Sequence, residues 1–169
     1  REIVRKLAQS NEAPLLIDST EPRVVEIALK NYPGRAIINS VHLEAGRAKV
    51  DIVLPMAREH GAAVVAMTID EAGMAMTAER KLEVARRIYD IAVGEYGIPA
   101  GALIFDDLTF VVATGDPELA NSAVETIEGI RLIKRKLPGV LTSLGVSNVS
   151  CGLKPAARAA RKLTFLHHC

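Results

Sequence analysis

Five short, mostly apolar runs, each closing on a polar turn and each followed by a helical pattern, constrain this chain more than any other feature. The runs are residues 15–17, 36–38, 62–67, 102–105 and 140–144. Behind them stand Asp18, Asn39, Asp70, Asp106 and Asn148, in that order. Apolar residues at helical spacing occupy residues 1–11, 23–32, 44–60, 77–96 and 118–136, and again from Pro155. Residues 108–117 read as a loop. Pro33-Gly34 and Pro138-Gly139 stop two helices, and Gly61 and Gly97 cap two others. Thr20 is expected to cap a helix that has Pro22 in its first turn, and Pro55 to break or kink the helix that contains it.

Strands of this length with little polar alternation are buried on both faces, as in parallel sheets. The alternating order therefore predicts an α/β fold with about five strands and six helices. Two architectures satisfy it, an open doubly wound sheet and part of a (β/α)8 barrel. In a doubly wound sheet only the loops beside the switch point share a site. In a barrel every strand ends at one mouth, so five polar residues at five strand ends can serve one ligand. No G-x-G-x-x-G follows any strand, and the barrel is the reading adopted. A closed barrel takes eight strands and roughly 250 residues. Residues 1–169 are thus expected to form a single barrel segment of a longer polypeptide, lacking the first strands and the last.

Composition removes several function classes. A net charge of +1 gives no electrostatic case for nucleic acid or a membrane surface, and no apolar run reaches membrane-spanning length. Cys151 and Cys169 lack C-x-x-C spacing, which suits free thiols in a reducing cytoplasm. His167, His168 and Cys169 are adjacent on a helix and point apart, so no metal set is expected. His42 reads as a solvated loop residue and Cys151 as a bystander. No G-x-S-x-G elbow occurs. The constellation that remains is Asp18, Asn39, Asp106 and Asn148. Each alone is a common cap or turn former. Together, two carboxylates and two carboxamides suit a flat, nitrogen-rich heterocycle, whose amino-pyrimidinone edge can give a carboxylate two hydrogen bonds at once.

Four motifs then carry a resemblance: Leu16-Ile17-Asp18-Ser19-Thr20, Ala36-Ile37-Ile38-Asn39-Ser40, Ile104-Phe105-Asp106 and Gly145-Val146-Ser147-Asn148-Val149-Ser150. In order and over nearly the whole chain, they resemble the pterin-binding domain of cobalamin-dependent methionine synthases. More distantly they resemble corrinoid-protein methyltransferases and dihydropteroate synthases. The resemblance implies a barrel that binds methyltetrahydrofolate and presents its N5-methyl to cob(I)alamin on another domain of the same polypeptide. Zinc would belong to a separate homocysteine domain. It implies a pterin site of Asp18, Asn39, Asp106, Ser147 and Asn148, with Asn148 catalytic beside N5 and Asp70 a weaker candidate acting through water. Lys154 or Arg158 would meet the glutamate tail. Alternatives are a stand-alone pterin enzyme, of corrinoid-protein methyltransferase or dihydropteroate synthase type, and an inactive pterin-binding fragment.

Overall fold

A computed structural model describes residues 1–111, 119 and 121–169. The expected segment boundaries at residues 112–118 therefore lie outside the described residues. The remaining chain alternates strand and helix as expected. The first elements are α1 (Glu2–Ser10), β1 (Leu16–Asp18), α2 (Pro22–Asn31), β2 (Ile37–Val41), α3 (Val50–Glu59) and β3 (Ala63–Met67). A small hairpin, β4 (Ile69–Asp70) and β5 (Gly73–Met74), precedes α4 (Ala78–Tyr89) and β6 (Leu103–Asp106). The last elements are α5 (Ser122–Lys136), β7 (Leu141–Ser143) and α6 (Pro155–His168).

The five main strands form one parallel sheet in the order β1-β2-β3-β6-β7, so each lies beside the previous strand of that sheet in the chain. A doubly wound sheet would reverse this order at a switch point. Paired residues of parallel strands point to the same face, and neighbours along a strand to opposite faces. Ile38, Val64, Ala66, Leu103 and Phe105 share one face and are at most 1% exposed. That face packs against Val25 and Leu29 of α2, Val53, Leu54 and Ala57 of α3, Val84, Ala85 and Ile88 of α4, and Ile133 of α5. The other face carries Leu16, Ile37, Val65, Ile104 and Leu141, of which Leu16 and Leu141 are 51% and 47% exposed. Helices on one face and an apolar second face, with strands in chain order, are the arrangement of part of a (β/α)8 barrel seen from inside.

Several boundaries depart from the sequence reading for local reasons. Residues 44–49 are turns, with Gly46 at φ +61°, and α3 begins only at Val50. Pro55 sits inside α3, which runs unbroken from Val50 to Glu59. Glu21, not Thr20, is the capping residue of α2, while Ser19 Oγ accepts from Glu21 N at 3.2 Å. The helix expected to reach Tyr96 is α4 followed by a π-helical turn, Asp90–Glu95, before Gly97 at φ +65°. The hairpin β4–β5 follows β3 before α4 begins. Two residues per strand are too few to leave a periodic signal.

Candidate functional site

Of the polar residues at the strand ends, Asp18, Asn39 and Asp106 are members of the strands themselves, while Asn148 lies beyond β7. Asp18 closes β1 and pairs in register with Asn39, the third residue of β2. Asn39 pairs with Val65, and the register shifts between Asn39 and Val41, which marks a bulge in β2. Met67 pairs with Asp106, and Asp106 with Ser143. Val65 and Met67 lie two apart on β3, so Asp18, Asn39, Met67, Asp106 and Ser143 all belong to the face without helices. Two strand spacings, roughly 10 Å, separate the Asn39 end from the Asp106 end, with Val65 and Met67 as an apolar floor between. Asp18 is exposed, and Asn39 and Asp106 are half-buried.

The segment after β6 joins this shelf to the segment after β7. Asp106 Oδ1 accepts the Leu108 amide at 3.0 Å, a local turn that leaves Oδ2 free of protein partners among the described residues. Leu108 has φ +58°, a left-handed conformation that costs a branched side chain on the order of 1 kcal/mol or more. Thr109 Oγ1 donates to the Gly145 carbonyl, and the Thr109 carbonyl accepts from Asn148 Nδ2 at 3.0 Å. A carbonyl only accepts, so the Asn148 group facing it must be the amino group. Oδ1 of Asn148, an exposed residue at the start of a single 3₁₀ turn (Asn148–Ser150), is thereby the group left for a ligand. Ser147, also exposed, contributes its carbonyl to that turn, accepting from Ser150 N and Ser150 Oγ.

Beneath the segment lie two buried ionisable side chains that the periodic pattern obscured. Lys81 of α4 is 0% exposed and Asp107 is 1% exposed. Lys81 Nζ donates to the Asp107 carbonyl and, at 3.2 Å, to the Leu108 carbonyl, and it sits 5.4 Å from the centre of the Phe110 ring. Thr126 Oγ1 adds a 3.1 Å hydrogen bond to the Leu108 carbonyl. Both Asp107 carboxyl oxygens lack a hydrogen-bond partner among the described residues. Burial pushes the Asp107 carboxyl up to about 7, against the pull of the Lys81 charge. Burial likewise lowers the Lys81 ammonium and raises the Asp106 carboxyl, the latter opposed by the Leu108 amide and by Lys81. The sequence did hold a signal for Lys81: Ala78, Lys81, Ala85 and Ile88 fall on one buried stripe of α4.

Other sequence candidates stand apart. Asp70 is 2% exposed within the hairpin, its Oδ1 accepting the Ala72 amide and its Oδ2 meeting Arg80 and, at 2.9 Å, Arg87. Both oxygens are spent on clamping the hairpin, and register does not place Asp70 on the shelf. Lys154 precedes α6 and accepts the Arg158 amide through its carbonyl; both side chains are exposed. His42 is half-buried near Lys49; burial and the Lys49 charge lower its imidazole. Burial lowers Lys49 in turn, and the negative charge of Asp18 opposes that. Lys49 is thus a cation at the Asp18 end that sequence reading missed. Cys151 and Cys169 are exposed free thiols. Among the described residues no three His, Cys, Asp or Glu side chains converge as a metal set, and no helix is long and apolar enough to cross a membrane. A cavity of about 620 Å³ lies beside α5 and Cys169, and no shelf residue lines it.

The chain is 43% identical over 170 aligned positions to methionine synthase of Mycobacterium tuberculosis, which covers 99% of this chain and 14% of that protein. It is 42% identical over 167 positions to methionine synthase of Mycobacterium leprae, covering 97% of this chain and again 14% of the relative. The chain therefore spans about a seventh of the length of these relatives. The family described as pterin binding enzyme matches along residues 1–169, and the chain belongs to that family.

Proposed function

We propose that this chain is the folate-binding module of a cobalamin-dependent methionine synthase, holding methyltetrahydrofolate while its N5-methyl passes to cob(I)alamin on another domain. The observation that carries the reading is the shared sheet face of Asp18, Asn39 and Asp106, with Asn148 tied to the same edge through Thr109. A pterin ring laid over Val65 and Met67 would reach polar groups at both ends. The free Asp106 Oδ2 takes the 2-amino and N3–H edge, a charge-assisted pair that a neutral acceptor would not match. Asn39 and Asp18 take the remaining ring edge, and Ser147 lies one residue before Asn148 at the opposite rim.

A tertiary amine leaves poorly, so N5 must gain a proton, or a strong hydrogen bond, as its methyl bond breaks. Cobalamin supplies the cobalt(I) nucleophile that accepts the methyl group. The chain's part is to hold N5 in place and favour its protonated form. Asn148 Oδ1, left free because Nδ2 is spent on Thr109, accepts from N5–H as charge builds there. Such stabilisation is worth on the order of 10²-fold in rate. Asp70 enters this reading as the clamp of the hairpin rather than as a ligand.

Titration of methyltetrahydrofolate into the full-length protein tests the site. Asp106→Asn should weaken binding by about tenfold, the cost of one charge-assisted pair. Unchanged affinity would reduce Asp106 to a turn former and remove the reading.

A further inference from the structure

We propose that Lys81, buried behind the shelf, is a positioning residue for methyl transfer: its ammonium holds the 107–109 segment so that Asp106 and Asn148 face the same ligand. The inference rests on the folate-module reading above and names a residue that the pterin itself would not touch.

The geometry supplies the argument. Lys81 Nζ grips two successive carbonyls, those of Asp107 and Leu108, from the helix side of the sheet. Those carbonyls flank the left-handed Leu108, whose amide closes the turn on Asp106 Oδ1. A non-glycine residue stays in that conformation only where its surroundings hold it. The Thr126 hydroxyl also lies 3.1 Å from the Leu108 carbonyl, sharing its single proton with the Ser122 carbonyl at 2.9 Å. The next residue, Thr109, offers the carbonyl that orients Asn148 and a hydroxyl that bonds Gly145. One cation therefore sets two groups at once: the carboxylate at one end of the proposed pterin and the carboxamide beside N5.

The packing around Lys81 is built for this placement. A Cβ on Gly129 of α5 would come within 2.6 Å of Asp107 Oδ2 and 2.8 Å of Lys81 Cδ, so any larger residue at this helix crossing would displace both side chains. A core lysine serving stability alone gains little, because desolvating its ammonium offsets most of what its bonds to two carbonyls contribute. A core lysine that fixes a strained turn next to two ligand groups has a use that an apolar residue would not serve.

The test uses the full-length protein, with methyltetrahydrofolate binding and methyl transfer to cob(I)alamin measured separately for Lys81→Met, Asn148→Ala and the double variant. Lys81→Met keeps the stem and removes the grip. It is expected to lower the saturated transfer rate about tenfold or more and to weaken binding about threefold. In the Asn148→Ala background the same substitution should cost less than about threefold in rate, because the group it positions is already gone. Losses that multiply independently, or a Lys81→Met rate equal to wild type, would overturn the proposal. If Lys81→Met does not fold, Lys81→Met with Asp107→Leu removes both buried charges and carries the same comparison. A wild-type protein that binds no methyltetrahydrofolate sinks the folate-module reading. A wild type that binds and transfers beside an unaffected Lys81→Met sinks only the role of Lys81.

Discussion

The two ends of the shelf hold equivalent groups by different means. At the β1–β2 end, Asp18 and Asn39 are presented by paired strands, with a bulge just past Asn39, and a cation there, Lys49, is only partly buried. At the β6–β7 end, Asp106 and Asn148 are set by a left-handed turn, a buried lysine, two threonines and a glycine helix crossing. Regular pairing spreads the task over many backbone hydrogen bonds, so it resists any single substitution. A side-chain scaffold concentrates the task in few groups, so each of them is vulnerable. The β6–β7 end is also where the proposed chemistry needs the tighter tolerance, since Asn148 is to meet the atom losing its methyl group.

Substitutions can break this contrast, starting with the largest expected effect. Asn148→Ala should reduce methyl transfer to cob(I)alamin about 100-fold, with methyltetrahydrofolate affinity changed far less. Equal losses in binding and rate would make Asn148 a uniform binding contact. Gly129→Ala should destabilise the chain by about 2 kcal/mol in chemical denaturation, although glycine to alanine within a helix normally stabilises by roughly 1 kcal/mol. A stabilised variant would mean that the Lys81–Asp107 pair has room to move.

Asp107 gives a pH signature confined to the scaffolded end. Its carboxyl is held at about 7 in the folded chain, above the ordinary 3.8. Between those values the folded state keeps a proton that the unfolded state has lost. The resulting stability is complete below about pH 4 and declines toward pH 7, by up to about 1.4 kcal/mol per unit. Asp107→Asn should flatten that slope in pH-resolved unfolding, and an unaltered slope would assign it to other groups. Asp18→Asn should show the smallest effect, about a threefold loss of pterin affinity in calorimetry. A loss as large as that of Asp106→Asn would erase the contrast between the two ends.

The same contrast explains what the sequence made legible. The sheet order and helix count followed from apolar runs and spacing, and Asp18, Asn39 and Asp106 were visible because regular strands put them in equivalent places. Residues 44–49 deceived because their composition is helical, while Gly46 at φ +61° turns the chain. Lys81 escaped because lysine on an apolar stripe ordinarily reaches solvent with its head group. The tie from Thr109 to Asn148 joins residues 39 apart in sequence, and no local pattern announces it. Asp70, read as a weaker candidate acting through water, is held by two arginines encoded later, in α4, a contact that no local pattern announces.

The order β1-β2-β3-β6-β7 also bears on how the chain comes to be assembled. Every main strand docks on the edge left by the previous one, so a ribosome emitting the chain from its amino end never has to hold a strand in reserve. Each strand–helix unit can settle as it emerges, closing loops of a few tens of residues rather than joining distant ends. The Lys81 grip is the exception in timing. Its partners Asp107 and Leu108 follow β6, the next main strand after α4, so the grip can close only once β6 has been made.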